Sequence, residues 1–409
     1  MLSELFYPHG SGGELATYLY VELLRKARIN VVVVTNRFVG EPEVSRSENL
    51  IVYRLPLFNE TKGVKFLVLR RFDVLISSYM RKLMKWADVV YIPKFWFSAI
   101  PLTKAYKKPV IVHLHGYIPV CPLSTLYDSS KDEACKRKGG HCSLHCIYLS
   151  ERTHDRSLIQ TLASTALNST VRYYFDKCIK LADAVICVSK DQKDLIVKRD
   201  ASLYPKIRVI HNPLPELSPV EVKGDGFGYF GGPSIMKGFG VLCRALSFLN
   251  CSSLVVHAAN FPVSKEGLMK SLRRFGIVTY RRLGYGEQQI LYRKIRGVII
   301  PSIEAETSSY ILCEAILRGR IVVASDIGGI PEQVEGCEGV FLFTPGDFSQ
   351  LAENIAYVRS LNREVAVDFG LHNREVFTSR FSNQKTLRNF MGICTELTLG
   401  TLEVGFNSE

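Results

Sequence analysis

Pro301-Ser302-Ile303-Glu304-Ala305-Glu306-Thr307-Ser308-Ser309-Tyr310-Ile311-Leu312-Cys313-Glu314-Ala315, followed by Arg318-Gly319 and the run Ile321 to Ser325, is the stretch that decides the fold. Gly297 to Pro301 and Ile321 to Asp326 are strand-length apolar runs, and a helix-length segment closed by a glycine lies between them. Strand, helix and strand in that order make a parallel unit, because parallel neighbours need a crossover of about a dozen residues. The same rhythm appears upstream at Phe227 to Phe230 and Ser253 to Ala258, and earlier at Ile29 to Thr35, Leu50 to Leu55, Val110 to His115 and Ala184 to Ser189. Between the two series stand His211-Asn212-Pro213-Leu214-Pro215 and a polar stretch to Gly226. The pattern predicts an α/β protein with two doubly wound domains, 1–220 and 221–385, and a final helix over 386–409 crossing back to the first. Ligands of such sheets sit outside the carboxyl ends of the strands, so two such domains facing one another are expected to enclose a cleft. The segment 117–150, rich in Cys, Lys and Gly, breaks the rhythm and reads as an insertion in the first domain.

At 409 residues and 47% hydrophobic, the chain can bury two cores of about 100 to 200 residues each. No apolar run approaches the roughly 18 to 20 residues that span a bilayer. The start, Met1 to Gly10, lacks the basic end and long apolar core of a secretory leader. A cytoplasmic protein, or one peripheral on the cytosolic face of a membrane, is the expectation. Eleven cysteines scattered through strands and helices read as reduced core thiols, not as a paired framework. A formal charge of +13 favours an anionic partner without saying which, since nucleic acid, acidic lipid and a phosphate-bearing substrate all qualify. The loop His9-Gly10-Ser11-Gly12-Gly13 precedes an amphipathic helix, Glu14 to Ala27, and so should follow a central strand. Either that strand is very short or the start codon lies upstream.

Glu306 and Glu314 are eight positions apart, which puts one carboxylate before the helix and the other a turn or two inside it. The helix amino end at Ser308 and Ser309 offers free N–H groups and a positive dipole end suited to a pyrophosphate. The spacing equally fits acids that complement the dipole and nothing more. Both readings stand on these residues alone.

Further motifs in register narrow the choice. Ala324-Ser325-Asp326-Ile327-Gly328-Gly329-Ile330-Pro331-Glu332 follows the glutamate pair, and Gly12-Gly13-Glu14, Val209-Ile210-His211-Asn212-Pro213 and Lys237-Gly238 precede it. Together, from Ser3 to about Asn383, they resemble glycosyltransferase family 4. The resemblance implies a GT-B fold of two Rossmann-like domains. It also implies a retaining transferase that moves a sugar from a UDP- or GDP-sugar to a glycan or lipid-linked acceptor with no required metal ion or cofactor. By that likeness Glu314 bonds the ribose hydroxyls, Glu306 and His115 face the donor sugar, Lys237 holds the diphosphate, and the backbone of Gly12 and Gly13 closes over it. One departure is plain: relatives carry an arginine after the first glycine of the strand-end loop, whereas Gly231 is followed by Gly232 and Pro233.

Each of these residues has a plainer reading beside the functional one. Lys237 fits a solvated lysine next to a glycine turn, and a strand histidine such as His115 is commonly a satisfied core residue. His113, deeper on the same strand face, is read as structural. Two other functions share the fold: a sugar-nucleotide epimerase, and a basic noncatalytic scaffold for membrane or nucleic acid. The basic residues are not interleaved with aromatics as in a recognisable nucleic-acid module, so no nucleic-acid partner is expected.

Cys121, Cys135, Cys142 and Cys146, with His141 and His145 nearby, could close a tetrahedral zinc site or be unrelated thiols of a basic loop, since their spacing matches no standard zinc knuckle. From Thr61 to Trp86, basic residues alternate with Leu, Phe, Ile and Trp, which reads as an interfacial helix on an anionic membrane or as an ordinary helix covering a sheet. Asn168-Ser169-Thr170 matches a glycosylation sequon that a cytosolic chain would never present.

Overall fold

The computed structural model describes residues 1–58, 72–136, 144–152, 157–249, 253–262 and 272–406. The chain divides into two compact units. One comprises Met1–Ser124, Arg137–Leu214 and Ser382–Glu409; the other comprises Thr125–Lys136 and Pro215–Phe381.

In the first unit, Val90–Ile92, Val110–Leu114, Ala184–Cys187 and Ile207–Val209 form a parallel sheet in that order. Val31–Asn36 pairs in parallel with Leu50–Leu55, which takes Val44–Ser47 as an antiparallel edge. Residues 1–3 join the two sheets: Leu2 bridges Val34, its N–H donates to the Tyr91 carbonyl at 2.9 Å, and the Ser3 N–H donates to the Val34 carbonyl at 3.1 Å. The strand expected before the glycine loop is therefore a single bridge. Val110–Leu114 is buried throughout, as a parallel strand covered on both faces must be. The core joins Tyr20, Val21 and Leu24 of the helix Gly12–Lys26 to Val33, Ile111 and Ile186.

The second unit has one six-stranded sheet, all parallel, in the order Ile277–Thr279, Val256–Ala258, Gly226–Tyr229, Ile295–Ile300, Ile321–Ser325, Val340–Phe343. Numbered within the unit, that is 3-2-1-4-5-6, the doubly wound order whose switch point lies between the first and fourth strands. Phe227, Val256, Ile299 and Val323 pack against Leu242 and Leu351 of the helices Phe239–Leu249 and Phe348–Ser360.

Three boundaries differ from those read in the sequence. The first unit ends at Leu214, not near 220, because Arg374 donates to the Leu217 carbonyl and Arg320 to that of Val220, which ties those residues to the second unit. The last helix starts at Asn383, not 386, and Asn383 bonds both backbone groups of Leu214. Within the insertion, Thr125–Lys136 belongs to the second unit: Thr125 accepts the Ala305 N–H at 3.0 Å and Tyr127 packs on that unit's core.

Candidate functional site

In the second unit the strands Gly226–Tyr229 and Ile295–Ile300 flank the switch point, and the loops leaving their carboxyl ends carry Lys237 and the acids of 304–306. Lys237 Nζ lies 2.7 Å from Glu306 Oε1 and 2.7 Å from Glu304 Oε1. Ser302 Oγ donates to the same Glu306 oxygen at 2.9 Å. Burial works against a charged ammonium here, yet Glu306 and Glu304 outweigh it and hold the Lys237 pKa above that of an ordinary lysine. The backbone is fixed as tightly as the side chains. Met236 O accepts the N–H groups of both Ile303 and Glu304, and Glu306 O accepts the Gly329 N–H at 2.7 Å. Lys237 is thus a member of a half-buried ion cluster, paired with both acids.

The helix Tyr310–Leu317 begins beside this cluster. Its amino end is less open than the sequence suggests. The Ser309 hydroxyl caps the helix by accepting from the Leu312 N–H, and the Ser309 N–H donates to Gln333 Oε1 at 2.8 Å. Gln333 Nε2 donates to Ser308 Oγ at 3.2 Å, so Ser308 and Ser309 are held from the Gly-Gly-x-Pro-Glu side. Glu314, one turn inside, faces Arg318 at 3.4 Å, and the Arg318 guanidinium stacks 4.4 Å from the centre of the Tyr292 ring.

The first unit holds the other candidate side chains. Gly12 and Gly13 open the helix Gly12–Lys26, and Glu14 caps it by accepting the Ser11 N–H at 2.7 Å. A Cβ on Gly13 would stand 2.8 Å from Lys94 Cε and 3.3 Å from His115 Cβ, so a side chain there would press on Lys94 and His115. Lys94 is ion-paired with Glu14. Burial alone would raise the Glu14 pKa, but Lys94 and the Ser11 N–H hold it below the usual carboxylate value. Burial, with Lys94 adding to it, pushes the His115 pKa down to about 3, so the ring is neutral at physiological pH. Its neighbour His113 is fully buried, with Nδ1 2.6 Å from the Tyr91 hydroxyl and its ring 4.3 Å from that of His115. Glu4 accepts the Phe95 N–H at 3.3 Å, and burial lifts its pKa to about 7.

Sequence reasoning did not select Glu4, Lys94, Ser302, Glu304, Gln333 or Arg318. Ser302, Glu304 and Arg318 lay within or beside the quoted glutamate motif, while Glu4, Lys94 and Gln333 did not.

Cys142 and His141 lie outside the described residues. Among the described residues no three His, Cys, Asp or Glu side chains gather as a metal site, although Cys121, Cys135 and Cys146 are present. The basic residues of 61–71, namely Lys62, Lys65, Arg70 and Arg71, also fall outside. The described remainder is a short helix, Phe72–Leu75, and a separate one, Ser78–Trp86, started by Ser77. Leu75, Met80 and Met84 face the core, while Ile76, Arg81, Lys82, Lys85 and Trp86 are exposed. Among the described residues no helix is long and apolar enough to cross a membrane. Asn168 of the sequon is buried against Glu151.

Comparison with known proteins gives two matches to family models: Glycosyltransferase Family 4 over residues 10–215 and Glycosyl transferases group 1 over residues 227–360. No curated protein sequence matches the chain. Among solved structures, a sucrose-phosphate synthase from Thermosynechococcus elongatus aligns with TM-score 0.71 at 14% identity, covering 96% of this chain and 94% of that one. HepE of Anabaena, in complex with UDP and glucose, aligns with TM-score 0.62 at 16% identity, covering 96% and 98%. An α,α-trehalose-phosphate synthase (UDP-forming) from Burkholderia xenovorans, in complex with glucose-6-phosphate, aligns with TM-score 0.65 at 9% identity, covering 96% and 99%. At such identities the likeness is one of fold, and the fold is GT-B.

Proposed function

Since the chain belongs to glycosyltransferase family 4, we propose that it transfers a sugar, with retention of configuration, from a nucleoside-diphosphate sugar to a glycan or lipid-linked acceptor. The observation that carries this reading is the Lys237, Glu306 and Ser302 cluster at the carboxyl ends of the strands beside the switch point, where doubly wound sheets bind nucleotides. Lys237 supplies the cation for the diphosphate, Glu314 receives the ribose hydroxyls, and Glu306 contacts the sugar. In the first unit, neutral His115 and the backbone of Gly12 and Gly13 are the donor contacts that the family resemblance implies.

The chemistry needs no protein nucleophile. The bond from the anomeric carbon to the diphosphate oxygen breaks as the acceptor oxygen bonds the same face of that carbon, and the acceptor proton passes to the departing phosphate oxygen. The protein stabilises negative charge gathering on the diphosphate and positive charge gathering on the sugar, which preorganised charges do without rearranging. Lys237 suits the first task and the carboxylate of Glu306 the second, so no divalent metal is required in this reading. The UDP in the HepE complex and the UDP-forming synthase favour a UDP-sugar as the donor to test first.

Thermal shifts with UDP-, GDP- and ADP-sugars test the proposal, since a donor that binds only the folded state raises its stability. One nucleotide class should raise the melting temperature and support sugar transfer to an added acceptor. Flat responses across the panel would return the chain to a noncatalytic scaffold, and release of an epimer without transfer would make it an epimerase.

A lipid-linked acceptor has its own support in the helix Ser78–Trp86, whose outward side carries Arg81, Lys82, Lys85 and a Trp86 that is 53% exposed. Basic residues beside an exposed tryptophan suit the headgroup region of an anionic membrane.

A further inference from the structure

We infer that Glu304 sets the strength of diphosphate binding by competing with the donor for Lys237, an inference that rests on the donor site proposed above. The cluster holds one cation and two carboxylates, each 2.7 Å from the same Nζ. Its formal charge is therefore −1 before any donor arrives, and a diphosphate can gain Lys237 only as a carboxylate gives it up. The two acids are not equally placed to do so. Glu306 is held a second time through its carboxylate by the Ser302 hydroxyl, and its peptide is tied to the Gly329 N–H. For the Glu304 carboxylate, Lys237 is the polar partner that the described residues provide.

The backbone keeps Glu304 in the competition. Its N–H, at 3.1 Å, shares the Met236 carbonyl with the Ile303 N–H, and Met236 directly precedes Lys237. The two residues cannot separate unless that peptide moves, so exchange takes only a rotation of the Glu304 side chain. With the side chain 14% exposed and that of Lys237 31% exposed, the pair is neither sealed nor fully hydrated, a setting in which one charge still counts. A diphosphate bonded to Lys237 thus meets the rest of the cluster with Glu304 turned aside. The residue that makes the empty site unfavourable to an anion is then the one that yields.

Glu304→Gln keeps the shape and one acceptor oxygen but removes the charge. Calorimetric titration of wild type and variant with UDP, GDP and the matching nucleosides reads the effect. The diphosphate that binds wild type should bind Glu304→Gln roughly three- to tenfold more tightly at low salt, and the gain should shrink as salt rises. The uncharged nucleoside should bind both proteins alike. Glu304→Ala serves as a second variant and should shift the diphosphate in the same direction. A diphosphate affinity unchanged or weakened in both variants overturns the competition and makes Glu304 a support that positions Lys237. If wild type binds neither UDP nor GDP, the donor site falls, and this inference with it.

Discussion

A Cβ on Gly328 would stand 2.3 Å from the carbonyl oxygen of Glu306, so the glycine turn and the acid of the site are packed backbone against backbone. Gly328 has φ +60, where a side chain adds strain of about 1 kcal/mol. Gly328→Ala should therefore lower both the melting temperature and turnover, because Glu306 must retreat. Gly346, with φ +87 and nothing within 4 Å of a Cβ, is the control: its alanine variant should lose stability and keep its turnover. Equal turnover in the two variants would show that Gly328 does not set the position of Glu306.

Substitutions in the two groups of side chains should separate by role. If Glu314 receives the ribose hydroxyls as proposed, Glu314→Ala should mainly weaken donor binding. If Glu306 and His115 face the donor sugar as proposed, Glu306→Ala and His115→Ala should lower kcat by roughly 100-fold or more, with smaller effects on donor affinity. Lys237→Ala should damage both. If Glu306→Ala and His115→Ala fold normally and transfer sugar at the parent rate, the site assignment is wrong even though the fold stands.

Glu4 makes the first unit sensitive to pH in a defined sense. Its pKa rises from 4.5 to about 7 on folding, through burial. Below pH 4.5 both states hold the proton and the group is neutral in the balance. As pH rises, the unfolded chain ionises first, so folding is penalised increasingly until the folded carboxyl also ionises above about pH 7. Glu4→Gln keeps an acceptor for the Phe95 N–H and should stabilise the protein at pH 8 by up to about 3 kcal/mol, with little effect near pH 4.5. Denaturant melts at both pH values check this. A gain equal at both would mean that Glu4 does not titrate in that window.

On the membrane side, flotation with vesicles containing acidic lipid at low salt should carry the protein, and replacing Arg81, Lys82 and Lys85 by Gln should release it. Each basic residue near an anionic surface contributes about 1 kcal/mol, so the triple change is large enough to see. Failure of the wild type to co-migrate removes the support for a lipid-linked acceptor.

The parallel α/β order was legible because its signal is local: apolar runs of strand length separated by helix-length segments, repeated on either side of Pro213 and Pro215. Glu306, Glu314 and Lys237 were singled out by the family resemblance and not by spacing alone, and the structure brings Lys237 and Glu306 within 2.7 Å. Lys94 and Glu4 were not. Lys94 pairs with Glu14 across 80 positions and Glu4 meets the Phe95 N–H across 91, and no local pattern marks a contact made only when two strands come side by side. The salt bridge from Lys237 to Glu304 was hidden for a different reason. Two acids two residues apart look interchangeable in a sequence, and only the pair of 2.7 Å contacts to Lys237 Nζ shows that both reach the same lysine.

Phe390 and Ile393 lie in the core of the first unit, and Phe390 packs 5.4 Å from Tyr20 and 5.3 Å from Tyr91, measured between ring centres. A ribosome that has delivered residues 1–214 has therefore made a layer with an apolar gap in it, while the stretch needed to fill that gap is still some 170 residues away by the count from Leu214 to Asn383. The part of the protein synthesised first is the part completed last. During that interval the nascent first unit exposes the surface that Phe390 and Ile393 will cover, the kind of surface chaperones bind.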